Sequence, residues 1–251
     1  MEPIRTFGLF MLTAVAEIVG CYLTAVQEYS SCLHPSGEAR MTAGEPNDRA
    51  AHWEAVYQQK APTAVSWYRG HLDTSLALLE QAGMGPDSRV IDVGGGASTL
   101  VDDLLDRDVR TVAVLDLSAK SLDVARARLG PRAGRVTWLT GDVTRLALPT
   151  AAYTHWHDRA VLHFLTKPDD VQAYAAQAAH AIVPGGHAVI GGFSPDGPER
   201  CSGLPVTRRS AHEIAAALGP SFALVTSVSE QHRTPDGAEQ SFAYALLRRE
   251  P

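Results

Sequence analysis

The chain is poor in cysteine, with three residues in 251, Cys21, Cys32 and Cys201, and no Cys-x-x-Cys pair. That scatter excludes a disulfide framework and a structural zinc site, and it fits a reducing compartment best. A basic excess is also missing. Lys plus Arg number 22 against 28 Asp plus Glu, a formal net charge of −6, so no positive field gathers phosphates and nucleic acid is not an expected partner. The sequence has no internal repeat, no low-complexity tract and no His/Asp cluster with ligand spacing, so no metal is expected. What is present is ordinary globular composition, 45% hydrophobic and 20% charged, which excludes wholesale disorder. The length suits one full domain plus an extra element.

The extra element is at the start. Phe7 to Val26, FGLFMLTAVAEIVGCYLTAV, is 20 residues with one formal charge, Glu17, just long enough to span a bilayer. Its apolar residues do not fall on one stripe and it lacks charged flanks, so a membrane-type helix is expected over a surface helix. A secretory signal is the weaker rival: Arg5 is a thin positive start, and Ile18-Val19-Gly20-Cys21 only loosely matches a lipoprotein cleavage box. Residues 6–23, TFGLFMLTAVAEIVGCYL, resemble the first transmembrane helix of a family of small four-helix bacterial inner-membrane proteins related to small multidrug-resistance transporters. The other three helices of that family have no counterpart. Arg5 precedes the span, Glu28 follows it and no basic residue occurs until Arg40, a bias that places the remainder outside the cytoplasm. The remainder reads as cytoplasmic, so the two ends conflict. The expected division is an apolar leader over 1–26, a polar linker over 27–47 and a working domain over 48–251, with the leader an inner-membrane tether if retained. Met41 opens a stretch that would serve as a cytosolic start, and the working protein is expected to be 41–251 with a fused or mis-started extension.

Beyond the linker, Trp53, Val56 and Tyr57 stand at helical spacing over 48–60, and Leu72, Leu76, Leu78 and Leu79 do the same over 71–83. Strands are then expected at 89–93, 111–115, 135–139, 152–156 and 187–191, alternating with helices over 98–106, 118–129 and 169–182. Such alternation implies right-handed βαβ units and a parallel sheet covered on both faces. A last helix, 210–218, precedes strands 222–229 and 241–248, which suit an antiparallel pair at the sheet edge.

The sharpest motif is Asp92-Val93-Gly94-Gly95-Gly96-Ala97-Ser98, at the junction of the first of these strands and the next helix. Glycines there let the chain turn tightly and let a ligand approach the backbone, while the helix that follows offers unpaired N–H groups. Thr99 stands where a dinucleotide fingerprint wants its third glycine, and no Gly-Lys-Ser/Thr follows for a P-loop. The run from Asp92 to Gly96 resembles the first motif of class I S-adenosylmethionine-dependent methyltransferases, and the resemblance continues in order over roughly residues 48–250. It implies that S-adenosyl-L-methionine is the cofactor, held by Asp92, Gly94, Gly95, Gly96 and Ser98. Asp116, 24 residues after Asp92 with Leu117 beside it, would accept from both ribose hydroxyls; its bland alternative is a helix cap. Asp142 of Thr140-Gly141-Asp142-Val143 would accept from the adenine amino group, with the Val143 N–H facing the ring. Pro184-Gly185-Gly186 matches the family's loop before the fifth strand. Trp53, Tyr57, Trp67 and Tyr68 resemble the segment that covers the cofactor in several members, where Tyr57 and Trp67 would contact it and aromatic faces suit a sulfonium.

The fourth strand runs into Thr154-His155-Trp156-His157-Asp158-Arg159-Ala160-Val161-Leu162-His163. Ligands of open α/β sheets sit outside the carboxyl ends of the strands, so His157 and Asp158 are expected in the crevice. His157, Asp158 and His163 are the catalytic candidates, His157 as a base for a thiol, amine or hydroxyl and also as a neighbour of the cofactor. The bland readings are an Asp158–Arg159 ion pair and a half-buried helical His163. A Gly/Pro-rich loop from Phe193 to Val206, carrying Cys201, lies at the crevice mouth.

The resemblance implies an α/β fold, a Rossmann-like seven-stranded mostly parallel sheet in which the strands lie in the order third, second, first, fourth, fifth, seventh, sixth, preceded by the apolar helix. The expected activity is methyl transfer to a small-molecule S, N or O nucleophile, in the cytoplasm. A protein lysine methyltransferase is the first alternative, because HWEAVY and SWY also resemble the opening of some elongation-factor lysine methyltransferases. A nicotinamide-dependent oxidoreductase and a non-catalytic adenosylmethionine-binding regulator are the alternatives of other classes.

Overall fold

The computed structural model describes residues 46–251. The apolar leader over 1–26 and the linker through residue 45 lie outside the described residues. Among the described residues no helix is long and apolar enough to cross a membrane.

Helices α1 (Pro46–Gln59) and α2 (Asp73–Gln81) lead into β1 (Arg89–Val93), followed by α3 (Leu100–Asp106), β2 (Thr111–Asp116), α4 (Ala119–Leu129) and β3 (Val136–Thr140). Strand β4 (Tyr153–Arg159), helix α5 (Pro168–Ala181) and β5 (Ile182–Phe193) complete the parallel part. A two-residue hairpin, β6 (Arg200–Cys201) and β7 (Leu204–Pro205), precedes α6 (Ala211–Leu218), β8 (Phe222–Arg233) and β9 (Glu239–Arg249). The seven-stranded sheet runs β3-β2-β1-β4-β5-β9-β8, parallel from β3 through β5 and antiparallel at β9 and β8. That is the expected order once the small hairpin is set apart.

Local chemistry starts and stops the helices. Ser118 caps α4 by accepting from the Ser121 N–H, and Ser210 and Glu213 form a reciprocal capping box on α6. Helix α5 opens with Pro168, Asp169 and Asp170, a residue with no N–H to lose and two charges that suit the positive helix end.

Each strand sends alternate residues to opposite faces. Ile91, Val93, Leu115, Trp156 and Ile190 pack with Tyr174 of α5 and Ile214 of α6 on one face. Val90, Val112, Val114, Val189 and Tyr244 pack with Leu76 and Leu79 of α2 and Leu100 and Leu104 of α3 on the other. Leu79, Leu100 and Leu104 are fully buried, each contributing roughly 1.5–3 kcal/mol.

One strand departs from the sequence expectation in a way that moves the site. β4 does not stop at Trp156 but runs to Arg159, because β5 pairs with it residue for residue from His155↔His187 to Arg159↔Gly191. His157 and Asp158 therefore lie inside the sheet, and Arg159 is the residue at its carboxyl end.

Candidate functional site

A cavity of about 110 Å³ sits outside the carboxyl ends of the parallel strands. Its floor on the β1–β3 side is made by Gly94, Asp116, Leu117, Asp142 and Val143. The glycine turn is tight for a visible reason. The Cβ of any other residue at position 95 would strike the Asp92 carboxylate, and at position 96, where φ is +42°, it would stand 2.7 Å from Asp116 Oδ2. Gly95 and Ser98 border a smaller adjoining recess, and Ser98 Oγ accepts from the Leu100 N–H at the start of α3. Gly96 borders neither and packs on Asp116 and Ser121.

Asp116 ends β2 with its carboxyl buried, and burial pushes its pKa up to about 6. Oδ1 accepts from the Ser118 N–H at 2.8 Å, while the cap of α4 is Ser118 itself, so Asp116 is not spent on capping. Asp142 is more heavily engaged: Oδ1 accepts from the Thr144 N–H at 2.9 Å and the Thr144 hydroxyl at 2.7 Å, and Oδ2 receives Arg49 at 3.1 Å.

Helix α1 roofs this floor. Arg49 pairs with both Asp142 and Asp170, and Glu54 accepts from the Ser118 hydroxyl at 3.1 Å and the Lys120 N–H at 3.3 Å. Between these ties Trp53 and Tyr57 face the cavity beside Trp67, with Trp53 edge-on to Trp67 at 5.7 Å and to Phe164 at 5.1 Å. The far wall carries Arg159, His163, Phe164, Phe193, Cys201 and Phe242. Burial raises the Cys201 thiol to about 11, so it is no thiolate at neutral pH.

The length of β4 decides where the catalytic candidates stand. His157 and Asp92 stand side by side across the β1–β4 ladder, with His157 Nδ1 2.7 Å from Asp92 Oδ1 and Nε2 2.9 Å from the Ser75 hydroxyl of α2. Both ring nitrogens are occupied and the ring is 1% exposed, so His157 braces the glycine turn through Asp92 instead of entering the main cavity as a base. Asp158 points to the opposite face, where it accepts from Val161 N, Leu162 N and the Tyr174 hydroxyl at 2.7, 3.0 and 2.6 Å. Burial lifts its pKa to about 6, and it pairs with no arginine. His163 is buried, not half-buried, on the turn after β4. Burial, then the nearby charges of Arg159 and Arg209, push its pKa down to about 3. Its Nδ1 accepts from the Phe193 N–H at 3.5 Å, which leaves the ring proton on Nε2, a buried donor with no partner among the described residues. It is too weak a base for general-base work near neutral pH.

Arg159 is the site residue that sequence reasoning missed. Its Nε donates to the Tyr244 hydroxyl and its Nη1 to the Trp67 carbonyl, both at 3.0 Å, and the guanidinium lies over the Phe242 ring at 4.6 Å. Nη2 is buried without a partner among the described residues. Period-two alternation through His155, His157 and Arg159 was the available signal.

Residues 90–186 match the model of the methyltransferase domain family. The mouse (Mus musculus) eEF1A lysine and N-terminal methyltransferase is 28% identical over 123 residues, 49% of this chain but 17% of that protein, so the chain spans about a sixth of this curated relative. Among solved structures, one described as converting a disulfide bond into a thioacetal group during echinomycin biosynthesis superposes with a TM-score of 0.67 at 22% identity, covering 80% of this chain and 93% of that one. The Burkholderia thailandensis 1,6-didemethyltoxoflavin-N1-methyltransferase, solved with that compound and S-adenosylhomocysteine, gives 0.60 at 19% identity over 87% of this chain and 99% of its own. These two likenesses are of fold. The family match favours methyl transfer over the oxidoreductase alternative.

Proposed function

We propose that this enzyme, a methyltransferase across residues 90–186, takes S-adenosylmethionine as its methyl donor and passes the methyl group to a small organic nucleophile. The observation that carries the reading is Asp116, a buried carboxyl bordering the cavity and free of the helix cap. In this reading Asp116 receives the ribose hydroxyls, Asp142 and Val143 meet the adenine edge, and Gly94 lets the chain approach closely. Tyr57 and Trp67 cover the donor from above. The unpaired, buried Oδ2 of Asp92 suits a donor proton from the same ligand. The donor supplies an electrophilic methyl group on a sulfonium. The chain's own residues orient the two reactants and exclude water, effects that suffice for in-line transfer without a dedicated base.

A small acceptor suits the aromatic chamber between Trp53, Phe164, Phe193 and Phe242. A protein lysine or N-terminal amine is the second reading, favoured by the name of the mouse relative. Methylation assays with eEF1A and with small heteroaromatic amines, run side by side, separate the two.

The test of the donor is calorimetric titration of S-adenosylmethionine and S-adenosylhomocysteine into the full chain and into Asp116→Asn. Loss of a charge-assisted contact should weaken binding by about 1.5–3 kcal/mol, roughly ten- to over a hundredfold. No binding by the folded wild-type chain, or unchanged binding by Asp116→Asn, overturns the reading.

A further inference from the structure

We propose that Arg159 is the acceptor-recognition residue of this enzyme, and that the acceptor enters carrying an anionic oxygen, a carboxylate, phenolate or enolate, which the free Nη2 of Arg159 receives. The inference rests on the methyl-transfer reading above and deepens it.

The guanidinium is built in, not adventitious. Arg159 ends β4, pairs across the ladder with Gly191 of β5, and Gly191 in turn faces Tyr244 of β9. Because Gly191 has no side chain, the Tyr244 ring lies directly against it and brings its hydroxyl to Arg159 Nε. The Trp67 carbonyl and the face of Phe242 fix the remaining directions. Three contacts thus aim one fork, and the atom they leave over is a buried donor without a partner. A buried guanidinium N–H left unpaired is costly, and sites of this kind reject ligands that cannot complete them.

Its neighbours repeat the demand. His163, on the same cavity wall, presents a second buried, unpartnered donor in Nε2–H. Glu230, the acid on β8 nearest in register to Phe242, pairs with Arg69 at 3.6 Å, and among the described residues no carboxylate stands within ion-pair distance of Arg159. This part of the cavity therefore offers two donors and a positive charge between aromatic faces, which selects a planar anion.

Position favours the acceptor. Arg159 reaches Tyr244 and Phe242 on β9, away from Asp116 and Asp142 at the ends of β2 and β3, and it also borders the recess lined by Asp92, Gly94, Gly95 and Ser98, so its effect on S-adenosylhomocysteine affinity is the measurement that separates an acceptor role from a donor role.

The probes are benzoate and its neutral isostere benzamide, titrated into the full chain saturated with S-adenosylhomocysteine. Benzoate should bind at least tenfold more tightly than benzamide. Arg159→Met should abolish that preference while leaving the S-adenosylhomocysteine Kd within about twofold, and Arg159→Lys, which keeps the charge but not the fork, should retain a reduced preference. Equal binding of the two probes, binding of neither, or a preference that survives in Arg159→Met overturns the proposal. So does a tenfold loss of S-adenosylhomocysteine affinity in a folded Arg159→Met, which would give the guanidinium to the carboxylate of the donor instead. If Arg159→Met does not fold, Arg159→Lys with an unchanged benzoate-to-benzamide ratio is the overturning result. Failure of the wild-type chain to bind S-adenosylhomocysteine breaks the donor reading alone, because the benzoate preference can be read on the unliganded protein.

Discussion

The two sides of the cavity are built differently. On the β1–β3 side the recognising groups sit on short, contiguous stretches, Asp92 to Ser98, Asp116 to Ser118 and Asp142 to Thr144, where strand ends and the turns after them supply both backbone and side chain. On the β4–β9 side they converge from distant parts of the chain: Arg159 is held by Trp67 and Tyr244, and His163 by the backbone of Phe193. The first side is a local device that any chain can carry as a motif. The second exists only after the sheet has closed, so it is free to differ between relatives that share the first.

Substitutions can break this contrast or sharpen it. The largest effect should come from Asp158, which belongs to neither side. Asp158→Ala strands two backbone N–H groups and the Tyr174 hydroxyl, and should cost about 3–5 kcal/mol in urea unfolding at pH 7. A variant that keeps wild-type stability but loses activity would instead return Asp158 to the site.

His163 tests the far side through pH. Its folded pKa of about 3 lies below the ordinary value, so as pH falls below about 6.5 the unfolded chain takes up a proton that the folded chain refuses. From pH 6.5 to 5 the site should remove about 2 kcal/mol of stability, at about 1.4 kcal/mol per pH unit. Asp116 and Asp158 act in the opposite sense, because their folded pKa values near 6 lie above the usual carboxylate range and favour the folded state as pH falls from about 6 to 4. They persist in His163→Gln, so the difference between variant and wild type isolates the histidine. Parallel stability curves for the two proteins would show that the ring is not held neutral.

The smallest effect is on the near side. Arg49 and an adenine amino group would compete for the same Asp142 oxygen. Arg49→Ala should therefore tighten S-adenosylhomocysteine binding by about 0.2–1 kcal/mol in calorimetry, the range of a partly exposed ion pair, with no change in the benzoate preference. Weaker binding would mean that Arg49 holds the roof more than it blocks the floor.

The same contrast explains what the amino-acid sequence disclosed. The strand–helix alternation and the glycine turn were legible because each is written in a window of a few residues, and the sheet order came only through the family resemblance that those residues carry. The end of β4 was not. His157 and Asp158 read as crevice residues beyond a strand ending at Trp156, yet each is buried on that strand, and their partners Asp92, Ser75 and Tyr174 come from elsewhere in the chain. Polar residues satisfied by long-range partners carry no local periodicity of their own. Arg159 entered the sequence reading only in the bland alternative of an ion pair with Asp158, although adjacent residues on a strand point to opposite faces.

The placement of the tryptophans gives this protein a built-in optical reporter. Of its four, Trp53 and Trp67 face the cavity, Trp156 is sealed in the core with its N–H on the Tyr174 hydroxyl, and Trp138 lies under Arg126. Emission from the last two supplies a steady background, while that from the first two responds to whatever enters between them. Occupancy can thus be followed in a cuvette by intrinsic fluorescence, with no label attached and no acceptor identified beforehand.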